Sequence, residues 1–320
     1  RLGAHRDGEL DGTPSAGADG DDSDASIADE DGVQWGGSEV GSTLSALTVA
    51  LENADIAMVD AWIDFDRDGV WSTSEQILDS VVVSSSLQTL NYSLPADVAA
   101  GFTYARVRLS SAGGLSPTGF APDGEVEDYQ VNIVTSPRVE SVVINHGDAQ
   151  RSTVETVTVT FDRVVDLHDF AGDPFEFVNV DTSTTVVDNA VVSQINDKTV
   201  VEFTFVAGPS VTNSGSLLDG DYRLTIDADL VSYFGVGLDG DGDGRGGGEY
   251  VFGANATDEF FRKFGDINGS RSVDLFDFAV FRSTFGRTSG DPNYELGFDS
   301  DGNGIIDLFD FAAFRANFGS

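Results

Sequence analysis

The stretch that decides the fold class is residues 200–205, VVEFTF, in which apolar side chains at 201, 203 and 205 recur with a period of two. The same period is present at 157–161 (VTVTF) and at 222–226 (YRLTI). Because successive side chains of a β-strand point to opposite faces, these runs predict strands with one buried face.

Similar runs lie on the N-terminal side, at 47–51 (LTVAL), 58–63 (MVDAWI) and 104–109 (YARVRL), and Gly, Pro and Asp separate them. Short alternating runs with such breaks predict antiparallel β-sandwiches. We therefore expect a mainly β chain with two sandwiches of jelly-roll or immunoglobulin-like type. The expected boundaries are 33–135 for the first and 136–255 for the second, since Ser136-Pro137 forms a break.

The C-terminal part has a different period. Residues 273–282 (VDLFDFAVFR) recur almost unchanged as residues 306–315 (IDLFDFAAFR), and phenylalanines follow at helical spacing in both copies. Such a duplication predicts two supersecondary units that share one core. We expect a small α-helical module over 256–320.

The composition is strongly acidic. The 320 residues carry 55 Asp and Glu against 17 Lys and Arg, a net charge of -38. This charge disfavours nucleic acid and anionic membranes as partners, and it destabilises a compact fold unless cations neutralise part of it. Residues 1–32 form an expected acidic arm, because 7–32 have little apolar content. Cysteine is absent, so calcium could replace disulfides as the cross-link.

The sequence contains no run of about 18 apolar residues, so we expect no membrane insertion. It also shows no signal peptide, and it opens on Arg1 rather than Met. We expect a fragment or a mature product whose beginning is missing.

The duplicated segments contain candidate calcium loops. Ca²⁺ takes about six to eight oxygen ligands, and a twelve-residue loop supplies them from positions 1, 3, 5, 7, 9 and 12, with Gly favoured at position 6. In the second copy the candidate ligands are Asp299, Asp301, Asn303, the Ile305 carbonyl, Asp307 and Asp310. In the first copy they are Asp266, Asn268, Ser270, the Ser272 carbonyl, Asp274 and Asp277. We expect the first loop to be weaker, because Ser270 replaces a carboxylate and Arg271 stands at position 6.

Two further loops have part of this pattern. Residues 64–75 offer Asp64, Asp66, Asp68, the Val70 carbonyl, Ser72 and Glu75, with Gly69 at position 6. Residues 239–249 offer Asp239, Asp241 and Asp243, but Gly247 stands at position 9 and Glu249 falls one residue early. The alternatives are a plain acidic turn for the first and a flexible Gly-rich linker for the second.

Because each C-terminal loop ends on Asp and precedes a helix, residues 264–319 resemble a type I dockerin. That family folds on calcium and docks onto cohesin domains through loop positions 10 and 11. Those positions here are the apolar pairs Leu275-Phe276 and Leu308-Phe309. The resemblance implies a cohesin-like partner, and the alternative is that these four side chains form core or interdomain contacts.

Residues 124–129 (GEVEDY), with Asp29-Glu30-Asp31 in the arm and 62–69 (WIDFDRDG), resemble the GEVED domain of large secreted bacterial proteins over about 7–134. The resemblance implies an accessory module in a secreted or cell-surface protein. Adjacent acids at 125, 127 and 128 are costly unless a cation or an arginine meets them. We expect the two acidic clusters to meet around a cation or around Arg106 and Arg108, and a solvated acidic edge is the alternative.

Nothing in the sequence indicates catalysis. His5, His146 and His168 are not spaced as a zinc pair, and there is no nucleophile elbow or phosphate-binding Gly loop. We therefore expect a calcium-binding, non-catalytic accessory segment. Two alternatives stay open. One is the tail of a carbohydrate-active enzyme whose catalytic domain lies upstream, and the other is a glycan- or matrix-binding protein that stacks sugars on Trp35, Trp62 or Trp71.

Overall fold

The computed structural model describes residues 1–4, 31–167, 172–253 and 258–320. It confirms a mainly β chain that ends in two helices. The chain divides into two compact units. The first contains Arg1–Ser136, Ser232–Gly237 and Gly244–Gly246, and the second contains Pro137–Val231, Leu238–Asp243 and Gly247–Ser320. In the described residues, no helix has the length and apolarity needed to cross a membrane.

The first unit contains the runs predicted around 47–51, 58–63 and 104–109. Its main strands are β1 (Val33–Trp35), β2 (Ser38–Glu39), β3 (Ser45–Ala50), β4 (Ala57–Ile63), β5 (Gln76–Val83), β6 (Leu87–Tyr92), β7 (Gly101–Ser110) and β8 (Glu125–Val134). They form a three-stranded sheet in the order β1-β3-β6 and a five-stranded sheet in the order β2-β8-β7-β4-β5. Among the described strand pairs of the first unit, the short β2–β8 pair is the parallel one.

The two sheets of the first unit share one core. Leu47 and Val49 on β3, and Val59 on β4, are fully or almost fully buried with Val107 on β7 and Ile133 on β8. On β3 buried and half-buried residues alternate, which is the pattern that the sequence predicts. One short turn, Thr73–Glu75, connects the loop after β4 to β5.

The second unit begins at Pro137 with a β region. The strands that follow in chain order are β9 (Val139–Ile144), β10 (Thr156–Phe161), β11 (Asp166–Leu167), β12 (Phe175–Asn179), β13 (Thr184–Val186), β14 (Asp188–Ile195), β15 (Lys198–Phe205), β16 (Gly220–Ile226), β17 (Val231–Tyr233), β18 (Val236–Gly237), β19 (Tyr250–Phe252) and β20 (Phe261–Arg262). Of β17 and β18, only Val231 belongs to this unit. Two antiparallel sheets, β14-β15-β10-β9 and β13-β12-β16-β19, enclose a core rich in phenylalanine, and β20 pairs with β16.

The helical pair, residues 264–320, also belongs to the second unit. Its helices are α1 (Leu275–Thr284) and α2 (Leu308–Asn317), and each begins at a capping aspartate, Asp274 or Asp307. The predicted shared core is present, since Phe281 of α1 stacks on Phe314 of α2 at 4.9 Å between ring centroids. Further short turns in the second unit span Asn145–Gly147, Ala228–Leu230 and Leu296–Phe298.

Candidate metal centres

The loop 64–75 begins at the end of β4 and is closed by Glu75. The two carboxylate oxygens of Glu75 accept hydrogen bonds from Phe65 N and Ser72 N, each at 2.7 Å. Asp64 Oδ2 accepts from Gly69 N at 3.0 Å, and Gly69 has φ +81°, which explains the Gly at position 6. The first and last acids of the predicted register are therefore both aimed into the loop.

One oxygen of this loop has no partner. Asp64 is only 2% exposed, and its Oδ1 is buried without any hydrogen bond. Burial raises the pKa of Asp64, with a smaller contribution from the nearby Glu75 carboxylate, while the backbone N–H groups of Gly69, Arg67 and Asp68 lower it. Ligand oxygens of Asp64, Asp66 and Asp68 all lie within 4.8 Å of one another. A cation fits here, because it would satisfy the orphaned oxygen and offset the repulsion among the carboxylates.

The loop 299–310 repeats this geometry. Asp310 accepts from Ser300 N and Asp307 N, each at 2.7 Å, and Gly304 N donates to Asp299 Oδ2 at 2.7 Å. Gly304 has φ +83°. Oxygens of Asp299, Asp301 and Asp310 lie within 4.8 Å of one another, so the donor set suits a hard cation.

Tyr294 lies beside this loop and is not among the residues that the loop pattern predicts. Its hydroxyl donates to Asp299 Oδ2 at 2.5 Å, and burial together with Asp299 raises its pKa. Because Tyr294 precedes the twelve-residue register, the loop pattern contains no signal for it.

The loop 266–277 has the same frame with fewer carboxylates. Asp277 accepts from Ile267 N at 3.0 Å and Asp274 N at 2.8 Å, and Asp266 Oδ2 accepts from Arg271 N at 2.9 Å. Arg271 adopts φ +63°, so it takes the left-handed conformation that Gly has in the other copy. The oxygen set includes the neutral side chains of Asn268 and Ser270 beside the carboxylates, and these are donor types that a hard cation accepts.

The loop 239–249 differs from the other three. Oxygens of Asp239, Asp241 and Asp243 lie within 4.8 Å of one another, and Gly244 has φ +95°. However, Arg138 Nη2 lies 2.7 Å from Asp239 Oδ2, so a positive charge of the protein already meets this carboxylate. A metal ion here would compete with that guanidinium.

The three acidic residues of β8 each have different hydrogen-bond partners. Asp128 forms a two-pronged ion pair with Arg106, at 2.7 and 2.8 Å, and both side chains are buried. Glu127 is fully buried and accepts from Gly32 N at 3.2 Å and Tyr129 Oη at 2.7 Å. Burial raises the pKa of Glu127 to about 8. Glu125 Oε2 accepts from Leu2 N at 2.6 Å.

Arginine therefore meets one of these acids, as the sequence suggested for Arg106. The guanidinium of Arg108 donates to the carbonyls of Ser116 and Gly119. The second predicted acidic cluster includes Asp29 and Glu30. Both lie outside the described residues.

The apolar pairs at positions 10 and 11 are on the surface of the helical pair. Leu275, Phe276, Leu308 and Phe309 are 74%, 58%, 71% and 72% exposed. These four side chains are therefore not part of the core of the helical pair. A core position was one of the alternatives that the sequence left open.

The tryptophans considered for sugar stacking and the three histidines are the remaining candidate residues. Trp62 and Trp71 are buried and Trp35 is half-buried, so a glycan has little access to these rings. His146 is exposed, and His5 and His168 lie outside the described residues.

One known family matches part of this chain. The family model described as the GEVED domain matches residues 58–132, which run from β4 into β8. The predicted GEVED resemblance is therefore confirmed over this part of the first unit. No curated protein matches the chain.

Proposed function

We propose that this chain is a calcium-binding, non-catalytic accessory and docking segment of a secreted multidomain protein. The observation that carries the proposal is Asp64 Oδ1, a buried carboxylate oxygen without a partner inside a loop of calcium-binding register. Leaving a buried charged group unsatisfied costs about 1–3 kcal/mol or more, and a bound cation removes that cost. The match of the same region to the GEVED family, an accessory module, supports a non-catalytic role.

The proposal includes two Ca²⁺ in the helical pair and one at 64–75, with a weaker fourth site at 239–249. The helical pair is then a dockerin-like module, and the β region before it is an immunoglobulin-like sandwich. Since several ligands are neutral Asn, Ser and carbonyl oxygens, we expect dissociation constants of about 0.1–1 mM, the range of extracellular calcium modules. The loop at 239–249 should be weakest, because Arg138 already neutralises Asp239.

The docking part of the proposal concerns the exposed apolar pairs. Leu275-Phe276 and Leu308-Phe309 occupy equivalent positions of the two repeats and project from the first turns of α1 and α2. Exposed large apolar side chains that cluster on a small module are typical of protein interfaces. A cohesin-like protein is the partner that this arrangement would suit.

The test is calorimetric titration of calcium into the chelator-treated full chain. We expect about three ions to bind to the wild type, and about one fewer to Asp64→Asn. Asp55→Asn is the control, because Asp55 is exposed and lies outside the loops. Fluorescence gives a second readout, because Trp71 stands inside the loop and its ring lies 4.2 Å from the Arg106 guanidinium.

Wild-type protein that binds no calcium up to about 10 mM, well above the range of extracellular modules, would refute the proposal. Unchanged stoichiometry in Asp64→Asn would remove the site at 64–75 from it.

A further inference from the structure

The two calcium loops of the helical pair have the same backbone but different surroundings. Gly269 and Gly302 occupy the fourth position of each loop, with φ +72° and +71°. A methyl group added to Gly269 would overlap the carbonyl oxygen of Ala149 in the β region. At Gly302 the nearest atom to such a methyl group is Ser214 Cβ, at 3.8 Å. At this position the first loop is therefore packed tightly against the β region of its unit, whereas the second loop leaves room for a methyl group.

Arg271, the exception in the first loop, belongs to this contact. Its guanidinium donates to Asp221 Oδ1 at 2.8 Å and lies 4.2 Å from the centroid of the Phe261 ring. Its carbonyl accepts from Lys263 Nζ at 3.1 Å. A left-handed conformation is unfavourable for any residue with a Cβ. The side chain explains the substitution, because a Gly here would lose both contacts with the β region.

Backbone hydrogen bonds join the same two parts. Arg151 N donates to the carbonyl of Asp266 at 2.9 Å, and the N–H of Lys263, the residue just before the helical pair, donates to the carbonyl of Arg151 at 2.9 Å. The buried hydroxyl of Ser152 accepts from Gly265 N at 2.7 Å and donates to the Gly297 carbonyl. A single segment of the β region, 151–152, therefore contacts the entrance of the first loop at Gly265 and Asp266, and it also contacts the turn before the second loop at Gly297.

A second contact holds the far end of the pair. Asp219 accepts from Phe264 N and from Asn317 Nδ2, each at 2.7 Å, and also pairs with Arg262. Asn317 is the last residue of α2, so Asp219 connects the beginning and the end of the helical pair. The pair is held at its entrance, at its first loop and at its last residue.

We propose that calcium in the first loop stabilises the joint between the helical pair and the β region, whereas the second loop binds its ion without affecting that joint. The inference rests on the proposed calcium sites. Asp266 supplies its side chain as the first ligand of the loop and its carbonyl as the acceptor for Arg151 N. An ion that orders Asp266 therefore also orders the joint, and by reciprocity the joint strengthens binding of that ion. In the part of the chain that the structure describes, the hydrogen bonds of Asp299, the equivalent residue, lie within the helical pair.

The first test compares Asp266→Asn with its matched control, Asp299→Asn, in the full chain. Hydrogen exchange of peptides that cover Arg151 and Lys263 reports on the joint, with calcium or with chelator. In the wild type and in Asp299→Asn, we expect calcium to slow exchange by about tenfold, within the range of coupling between linked sites. In Asp266→Asn this calcium effect should be lost.

A joint whose exchange is the same with calcium and with chelator would overturn the inference, provided that calorimetry shows one ion fewer in Asp266→Asn. Absence of any ion from both loops would instead overturn the proposed function. An equal loss of protection in Asp299→Asn would also overturn the inference, since it would show that the two loops act as one.

The second test uses the two glycines. Gly269→Ala and Gly302→Ala carry the same backbone strain, so their difference measures the contact with Ala149 alone. We expect Gly269→Ala to weaken the first calcium site by about tenfold and to raise exchange at the joint, relative to Gly302→Ala. Equal effects of the two substitutions on the joint would contradict the inference, even if both variants lose stability.

Discussion

The buried carboxyl of Glu127 should make the first unit less stable as the pH rises. Glu127 is fully buried between the N–H of Gly32 and the hydroxyl of Tyr129. Burial raises its pKa from the ordinary 4.5 to about 8 in the folded protein. The folded state therefore binds a proton that the unfolded state has already released between these two values. Stability is highest below about pH 4.5 and is lost as the pH rises through about 8.

The size of the effect follows from this pKa. At about 1.4 kcal/mol for each pH unit between the two values, the rise corresponds to a ceiling of about 5 kcal/mol. Relaxation around the ionised group lowers such ceilings, so we expect the first unit to lose about 2–3 kcal/mol between pH 5.5 and 8.5. In Glu127→Gln, the side-chain amide is uncharged at every pH of the assay and so imitates the protonated carboxyl group of Glu127. Its NH₂ group can donate to Tyr129 Oη, whose hydroxyl proton then turns away.

The assay is urea unfolding at several pH values in saturating calcium, followed by tryptophan fluorescence. All three tryptophans, Trp35, Trp62 and Trp71, belong to the first unit, so the signal reports on that unit alone. The difference between the wild type and Glu127→Gln should grow from near zero at pH 5.5 to about 2–3 kcal/mol in favour of the variant at pH 8.5. Glu52→Gln, at an exposed position, should leave the pH dependence unchanged. A difference that stays constant with pH would refute the reasoning.

Two further predictions concern the cores. Arg106→Met leaves Asp128 buried without its ion-pair partner, and should destabilise the first unit by about 3–5 kcal/mol in the same urea assay; a loss below 1 kcal/mol would show that water reaches Asp128. Phe281→Ala removes the ring that stacks on Phe314 and should cost the helical pair about 3–5 kcal/mol, measured as loss of helical circular dichroism on heating. The matched control is Phe309→Ala, whose exposed ring should change stability by less than about 0.5 kcal/mol.

The sequence predicted the strands well because local alternation and burial agree here. Residues 157–161 and 200–205 are β10 and β15, and their apolar residues form buried pairs such as Val159 with Val201. The two helices were predictable for a similar reason, since each has its own capping aspartate and its own phenylalanines in the shared core. Information of this kind lies within a few neighbouring residues.

The loop register was also predictable, but its environment was not. Positions 1, 6 and 12 impose local hydrogen bonds, and Gly69 and Gly304 have the positive φ that the pattern requires. In contrast, the loop pattern indicates only that Arg271 weakens its loop. It does not predict the partners of Arg271, because Asp221 is distant in sequence and Phe261 precedes the twelve-residue register. The ion pair of Arg138 with Asp239 is a long-range contact of the same kind.

Not all the acidic loops should depend equally on metal. In the two loops of the helical pair, both oxygens of Asp277 and of Asp310 accept backbone N–H groups, and so do both oxygens of Asp266 and of Asp299. Backbone donors thus offset part of the repulsion among these acids even without an ion. Among the described residues, Asp64 keeps one buried oxygen that accepts no hydrogen bond. Removal of calcium should therefore cost the first unit more, per ion, than it costs the helical pair.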